Sequence, residues 1–373
     1  MPWQEVSTMS LRREFVMLAS VEGANRAELC RRFGISRKTG YKWLERARSG
    51  CLLADATRRP ANSPRRTKLT TEQFIVALRD EHPAWGARKL RRRLQDLGKG
   101  PLPAPSTVQA ILTRHGRIDP KREDAPGPWQ RFEHPQPNAL WQMDFKGHFA
   151  LQTGRCHPLT VLDDHSRFAL CLQACANEQG QTVQQRLSLV FQRYGLPARI
   201  GVDNGSPWGD TFDSPYTPLV AWLIRLGVSV SHSRPYHPQT LGKDERFHRT
   251  LKAEVLDRTY SDLPSVQQRF DHWRLVYNCQ RPHEALGMQV PASRYRPSPR
   301  PMPSTLPAIE YAPGDFVRRV QQQGWLSFRG QQLRVSKAFR GSPVALRPRH
   351  DADGQFDVFF CHQKIAQFDL SSL

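Results

Sequence analysis

Three acidic segments within residues 141–252 constrain this chain more than any other feature of its sequence. They are centred on Asp144, Asp203 and Glu245, and each carboxylate lies at the edge of a predicted strand or helix. Carboxylates gathered in one place resist ionisation unless a cation neutralises them. Magnesium prefers oxygen ligands, and two such ions can clamp the attacking and leaving oxygens of a phosphoryl displacement. The pattern predicts a fold that brings these segments together for metal-dependent chemistry on a DNA backbone.

The segments between these acids predict a mixed sheet. Residues 140–151, 159–163 and 167–175 are rich in β-forming residues and bounded by turn residues, which predicts three strands. Helices and strands then alternate; we expect helices at 182–194, 219–226 and from about Lys243, and strands at 199–203 and 228–232. Three strands followed by this alternation indicate an α/β core with helices on the faces of its sheet.

The last predicted helix of this region separates two neighbouring acids. Phe247, Leu251 and Val255 form one apolar stripe at about 100° per residue, and Asp244 projects onto the same stripe. Glu245 points about 120° away from the stripe centre. We therefore expect Glu245 to face a cleft, and Asp244 to serve the helix amino terminus, where negative charge is favoured.

Other polar residues of this region have competing explanations. Asp163 and Asp164 end a strand before a turn, which favours a turn-stabilising or supporting role over metal ligation. Asp210 and Asp213 fall in a polar loop and are expected to be solvated. His237 lies in a proline-rich turn, where a DNA contact and a packed turn histidine are equally good explanations.

Residues 1–57 predict a helix-turn-helix DNA-binding domain. Two short helices are joined by a glycine-containing turn, and Ser36 is a plausible N-cap for the second of them. The second helix would enter the major groove, with four residues projecting outward: Arg37, Lys38, Tyr41 and Lys42. The alternative is an ordinary helical hairpin with a solvated basic face. Gly40 favours that alternative, because glycine inside a helix costs about 1 kcal/mol relative to alanine.

Residues 67–118 predict a second helical domain of the winged-helix or helix-turn-helix type. Thr70 with Gln73 resembles a capping box, and Ser106 is a candidate cap for the third helix. The middle helix should turn Leu90, Leu94 and Leu97 inward and its basic residues mostly outward: Arg88, Lys89, Arg91, Arg92 and Arg93. DNA binding is one interpretation, and a linking or oligomerising role is the other.

Composition agrees with a chain of several domains that binds a polyanion. The 373 residues carry a formal net charge of +21, which favours nucleic acid as a partner. No apolar run approaches the roughly 18 residues that a spanning helix needs, and residues 1–14 have no signal-peptide core. Seven scattered cysteines predict neither a zinc site nor a disulfide framework. We expect a cytoplasmic, nucleoid-associated protein of the bacterial type without a membrane anchor.

After a proline-rich linker, residues 311–373 predict six short strands. They are expected to form a small β-barrel, whose arginines suit an accessory DNA or partner surface. A purely structural cap is the alternative.

Three motifs together resemble the integrase core of insertion-sequence transposases of the DDE class, which are related to retroviral integrases. They are Trp141-Gln142-Met143-Asp144-Phe145, Val202-Asp203-Asn204-Gly205-Ser206, and the run from Arg234 through Glu245 to Arg246. The resemblance covers residues 138–297 and implies a ribonuclease-H-like fold. It also implies two Mg²⁺ ions, replaceable by Mn²⁺, held by Asp144, Asp203 and Glu245. Beside such a metal cluster, basic residues would hold DNA phosphates; they are Lys243, Arg246 and Arg249.

The resemblance implies a multidomain α+β transposase that binds double-stranded DNA at the ends of a mobile element. It would cleave and transfer strands as a homo-oligomer. The chain departs from the family in having 41 residues between Asp203 and Glu245, a longer interval than usual, and in having an acid at position 244. Two alternatives stay open: a catalytically inactive transposase-derived DNA-binding protein or repressor, and a ribonuclease-H-type nuclease acting on hybrids.

Overall fold

A computed structural model describes residues 8–55, 66–118, 133–209, 215–233, 242–256 and 258–370. The chain divides into two compact units, Met1–Arg66 and Thr67–Leu373. The second unit contains three groups of elements: three helices, a sheet with four helices, and a C-terminal group of strands.

The first unit is a trio of helices: α1 (Thr8–Ala19), α2 (Arg26–Arg32) and α3 (Arg37–Arg48). The Ser36 hydroxyl accepts a hydrogen bond from the Thr39 amide at 3.1 Å, so the predicted N-cap is confirmed. Phe15, Cys30 and Leu44 form the buried centre of the trio.

Gly40 is the point of closest approach between these helices. A Cβ atom at this position would lie 2.6 Å from Sγ of Cys30 and 2.9 Å from Cζ of Phe15. The glycine that counted against a helix-turn-helix is therefore needed for α3 to pack on α1 and α2, and its helix-propensity cost is offset by that packing.

The second helical group consists of α4 (Leu69–Glu81), α5 (Ala87–Asp96) and α6 (Pro105–Arg114). Both predicted caps are wrong. Lys68 precedes α4 and Ala104 precedes α6, and neither makes a side-chain cap hydrogen bond. The helices begin before Thr70 and Ser106, and Pro105 starts α6 at a position where a preset φ favours helix entry.

The apolar stripe of α5 is shorter than predicted. Leu90 and Leu94 are buried, whereas Leu97 is 48% exposed. Because α5 ends at Asp96, Leu97 is the C-cap residue and leaves the helical stripe.

The central sheet has six strands in the described part of the chain. They are β1 (Trp141–Phe145), β2 (Phe149–Leu151), β3 (Gly154–Asp163), β4 (Ala169–Cys175), β5 (Arg199–Val202) and β6 (Ser229–His232). The order is β2-β3-β1-β5-β6, with β4 also paired to β3. β1 is antiparallel to β3 and parallel to β5, which is parallel to β6. The predicted mixed sheet is thus confirmed, although residues 140–151 form two strands with Gly147 at a positive φ between them.

Four helices accompany the sheet: α7 (Gly180–Tyr194), α8 (Pro218–Arg225), α9 (Gly242–Glu254) and α10 (Leu263–Cys279). Helix α10 was not predicted from the sequence. It packs against β4 and also against α9, where the Phe247 ring lies 5.3 Å from Trp273 and 4.8 Å from Tyr277 between centroids.

The C-terminal strands are β7 (Phe316–Arg319), β8 (Trp325–Phe328), β9 (Gln331–Arg334), β10 (Pro343–Pro348), β11 (Gln355–Phe360) and β12 (Gln363–Asp369). They form an open four-stranded sheet, β12-β11-β10-β7, and a separate β8-β9 hairpin. The predicted barrel is not confirmed, because no ladder in the described residues joins β7 to β12. The Gln363 side chain bonds both the amide (2.8 Å) and the carbonyl (3.1 Å) of Val230, which ties this group to edge strand β6.

Candidate active site

Asp144, on β1, lies level with Asp203, which directly follows the neighbouring parallel strand β5. Gln142 of β1 stands beside Gly201 of β5, and the aspartates come two residues further along each chain segment. Burial, followed by the charge of Asp203, raises the pKa of Asp144 to about 7. Burial also raises the pKa of Asp203, although its Oδ1 accepts a hydrogen bond from the Gly205 amide at 3.1 Å. A cation between these carboxylates would relieve an electrostatic cost.

A histidine of α9 supports Asp144 through a threonine. The Thr160 hydroxyl donates a hydrogen bond to the Asp144 carbonyl oxygen at 2.9 Å, and Nε2 of His248 lies 2.9 Å from that hydroxyl. Burial, then the charge of Lys146, lowers the pKa of His248 to about 3, so the ring is neutral. Because the threonine proton is already donated, Nε2 carries the ring proton and donates it to Thr160. The Nδ1 lone pair then faces Oδ2 of Asp144 at 3.9 Å.

Glu245 lies on the exposed side of α9, while Phe247, Leu251 and Val255 are buried. The helical spacing predicted this difference correctly. Among the described residues, no three acidic, histidine or cysteine side chains come together as a metal-binding group. The structure therefore brings Asp144 and Asp203 together without adding Glu245 to them.

Asp244 is fully buried, and within the described ranges neither of its carboxylate oxygens has a hydrogen-bond partner. Burial, then the charges of Asp144 and Asp164, holds its pKa well above the ordinary value. The expectation that Asp244 serves the helix amino terminus is not supported, because its oxygens receive no bond from the helix amides. Such an uncompensated group is stable as the neutral acid.

Lys243 forms an ion pair with the buried carboxylate of Asp164. Asp164 also accepts hydrogen bonds from Nε2 of Gln142 at 3.0 Å and from the His134 amide at 2.9 Å. Of the three basic residues predicted beside the site, Arg246 and Arg249 are exposed, whereas Lys243 is directed inward.

Asp163 stabilises a turn, as its position before Ser166 suggested. Its carboxylate accepts hydrogen bonds from the Ser166 amide at 2.8 Å, the Ser166 hydroxyl at 2.6 Å and the Asn138 amide at 2.7 Å. These three hydrogen bonds hold the Asp163 carboxylate in the turn.

The four predicted DNA-contacting side chains of the first unit are all exposed on α3: Arg37, Lys38, Tyr41 and Lys42. Trp43 and Leu44 of the same helix are buried, as expected. Three other predicted positions lie outside the described residues: His237, Asp210 and Asp213.

Sequence reasoning missed His248, Thr160 and Glu178 as members of this neighbourhood. Glu178 contributes to the raised pKa of both Asp144 and Asp203. His248 stands one helical turn beyond Asp244 on the buried side of α9, and this spacing could have indicated it. Thr160 is paired with Asp144 across β1 and β3, a register that the sequence pattern alone does not give.

Profiles of known families match successive parts of this chain. Two profiles described as integrase core domain match residues 134–238 and 226–291, and the C-terminal domain of IS481 family transposases matches residues 315–372. These matches, with the insertion-element relatives below, support a DDE transposase with an integrase-like core. A helix-turn-helix profile also matches residues 11–61, and a homeodomain-like profile matches residues 39–112.

Curated relatives match the chain over part of its length. An uncharacterized 39.2 kDa protein of insertion element IS476 from Xanthomonas euvesicatoria is 26% identical over 157 residues, 42% of this chain and 44% of that protein. A 31.7 kDa protein of insertion element IS407 from Burkholderia multivorans is also 26% identical, over 42% of this chain and 54% of that protein. The Gag-Pol polyprotein of feline leukemia virus is 30% identical over 133 residues, which are 36% of this chain and 7% of that polyprotein. The chain spans about half or less of these relatives.

Solved structures that match this chain come from retroviral integration. A simian T-cell lymphotropic virus intasome chain, in complex with the PP2A regulatory subunit B56 gamma, is 15% identical; the match covers 79% of this chain and 94% of that one at a TM-score of 0.37. The HTLV-2 integrase catalytic core domain in complex with magnesium is 13% identical. The match covers 43% of this chain and 99% of that one at a TM-score of 0.33.

Helices that could cross a membrane are absent from the part of the chain that the structure describes.

Proposed function

We propose that this chain is a DNA transposase that binds the ends of a mobile element and catalyses metal-dependent cleavage and transfer of DNA strands. The proximity of Asp144, on β1, to Asp203, which directly follows β5, carries this proposal, because both lie inside a region that matches an integrase core. The chemistry would be hydrolysis of a phosphodiester at the element end, followed by attack of the freed 3′-hydroxyl on target DNA. Neither displacement needs a covalent enzyme intermediate.

Asp144, Asp203 and Glu245 would hold two Mg²⁺ ions, and Mn²⁺ could replace them. Carboxylate oxygens are the donors that Mg²⁺ prefers, and the raised pKa of both aspartates marks a place where negative charge lacks compensation. When bound, such a metal pair activates the attacking group and stabilises charge on the leaving oxygen. Glu245, on the exposed side of α9, would join the aspartates as the site assembles on DNA.

The surrounding side chains would orient the site and the substrate. His248 and Thr160 hold the main chain of Asp144, which fixes where its carboxylate points. The exposed guanidinium groups of Arg246 and Arg249 flank Glu245 on α9 and suit contacts with DNA phosphates.

DNA recognition would begin at the first unit. Its exposed α3 side chains have the chemistry for base edges and phosphates, and Ser36 and Gly40 give the helix its fixed place in the trio. Joining two element ends requires two binding sites in one assembly, so we propose that the transposase acts as a homo-oligomer.

The test uses duplex DNA spanning each border of the coding sequence, incubated with Mg²⁺ and purified protein. Wild type is compared with Asp203→Ala and with the control Asp353→Ala, which changes an exposed turn carboxylate. Breaks at a border made by wild type and control, and lost in Asp203→Ala, would support the proposal. Binding without breaks by all three proteins would instead indicate a catalytically inactive DNA-binding protein or repressor.

A further inference from the structure

The second helical group (α4, α5 and α6) is packed directly on the integrase core. Val276 of α10 belongs to the apolar cluster formed by this group, together with Ile75, Leu90 and Ile111. At the edge of the same junction, Nη2 of Arg93 on α5 donates a hydrogen bond to Oε1 of Gln280 at 2.9 Å. The basic face of α5 is therefore partly used for docking, and of its five basic residues only Arg88 is fully exposed.

The same α10 supports the helix that carries Glu245. Trp273 and Tyr277, on either side of Val276, pack edge-on against Phe247 of α9. Phe247 lies two residues after Glu245. Continuous side-chain packing therefore links α5, through α10, to α9, and packed interiors transmit position with little compliance.

Three cations and two carboxylates lie together at this junction, on the side of α9. Lys89 of α5 lies among Arg281, Glu284, Arg246 and Glu254, and burial together with the charge of Arg281 lowers its pKa to about 8. Arg281 is buried, with Nε 3.6 Å from Oε1 of Glu254. The side chains of Lys89 and Arg246, in contrast, make no ion pair or hydrogen bond within the described ranges. We call Lys89 and Arg246 the basic seam.

The basic seam has the properties of a phosphate-binding place. Two cations that repel each other across a junction are stabilised by an anion that reaches both. Contacts of this kind, to the DNA backbone, set the register of a protein on the duplex without reading its sequence. α6, which packs on α5, has polar side chains that face solvent; they include Ser106, Thr107, Gln109, Thr113 and Arg114.

We propose that the junction of α5 with α10 fixes the distance along the DNA between the sequence held by the second helical group and the phosphodiester that is cut. In this arrangement the basic seam holds the backbone between those two points. Residues 67–118 thus set the spacing between the bound sequence and the cleavage site. This role goes beyond DNA binding by a helix-turn-helix. The inference rests on the proposed function for the identity of the substrate.

The experiment combines hydroxyl-radical footprinting of border DNA without metal and mapping of strand breaks with Mg²⁺. Lys89→Ala removes the cation of α5, and the double variant Arg93→Ala/Gln280→Ala removes the docking hydrogen bond. The matched control is Arg92→Ala, because Arg92 neighbours Arg93 but pairs with Asp96 inside α5. All variants are compared with wild type for DNA affinity over a range of salt concentrations.

We expect Lys89→Ala to lose protection only at the phosphates between the recognised sequence and the cut, and to reduce the slope of log affinity against log salt by about one. The double variant should keep its affinity but cut at several neighbouring phosphodiesters instead of one. Arg92→Ala should match wild type in every measurement.

Two separate outcomes distinguish the inference from the proposed function. Unchanged protection and salt slope in Lys89→Ala, with single-position cutting by the double variant, would overturn the proposed spacing role. The proposed transposase function would stand. Protection at the seam that disappears in Lys89→Ala, without any strand break by wild type, would support the seam and overturn the proposed catalysis. Absence of any wild-type footprint would overturn both.

Discussion

Asp144 on β1 stands level with Asp203, which directly follows the parallel strand β5, and after burial the charge of Asp203 is the largest cause of the raised Asp144 pKa. The folded pKa of about 7 lies above the ordinary value of 3.8. The stability that this group contributes is therefore fully present below the unfolded pKa and is lost as the pH rises through about 7. Without metal, the site should weaken the folded state at alkaline pH.

Asp144→Asn should remove this pH-dependent loss, because an amide does not ionise. In metal-free buffer we expect the variant to melt a few degrees above wild type at pH 8 and to show little difference at pH 4. Thermal unfolding at both pH values measures the effect. Asp271→Asn, which changes an exposed carboxylate of α10, is the control. Its melting temperature should differ from that of wild type by the same amount at both pH values. An equal change at both pH values for Asp144→Asn would contradict the assignment.

Lys243 should act on stability rather than on DNA affinity, because its ammonium compensates the buried carboxylate of Asp164. We expect Lys243→Met to lower the free energy of unfolding by about 3–5 kcal/mol, since it leaves a buried charge unpaired. Arg249→Met, on the exposed side of the same helix, should instead keep its stability and reduce the salt slope of DNA binding by about one. Urea unfolding and binding titrations separate the two effects. A stable Lys243→Met with a reduced salt slope would place Lys243 on the DNA.

His248 should position Asp144 for metal binding. His248→Ala and Thr160→Val both break the hydrogen-bonded link to the Asp144 carbonyl, so each is expected to raise the Mg²⁺ concentration needed for half-maximal cleavage about 10- to 100-fold. His272→Ala, an exposed histidine of α10, is the control. If Mg²⁺ titrations of both variants overlay the wild-type curve, the link has no role in the site.

Gly40→Ala should damage the first unit, because the added methyl group meets Cys30 and Phe15 at less than contact distance. Overpacking of this kind costs about 1–3 kcal/mol. Thermal unfolding should show a loss that Cys30→Ala partly restores in the double variant, since it removes the closer of the two clashes. A wild-type melting temperature for Gly40→Ala would mean that the helices can separate there without penalty.

Local patterns were sufficient for much of the core. Enrichment in β-forming residues and flanking turn residues located the strands that carry or precede Asp144 and Asp203, and the 3.6-residue period correctly separated exposed Glu245 from the buried side of α9. The turn role of Asp163 also followed from its distance to Ser166. Each of these features depends on residues close together in the sequence.

Features set by distant contacts were out of reach. The pairing of Lys243 with Asp164 depends on a segment about 80 residues earlier, whereas the burial of Asp244 followed from its place on the apolar stripe of α9. The docking of α5 on α10 joins Arg93 to Gln280. The periodicity of a single helix cannot predict a partner so distant in the sequence. The predicted barrel was not confirmed for the same reason, since strand propensity locates strands but does not determine whether their edges meet.

The most direct test of the catalytic assignment compares two neighbouring acids of α9. Wild type, Asp203→Ala, Glu245→Gln and Asp244→Asn would be incubated with border DNA in Mg²⁺ and in EDTA, and strand breaks mapped to the nucleotide. We predict Mg²⁺-dependent breaks by wild type and Asp244→Asn, and none by Asp203→Ala or Glu245→Gln. Breaks that persist in Glu245→Gln but disappear in Asp244→Asn would contradict the account and assign the third carboxylate to Asp244.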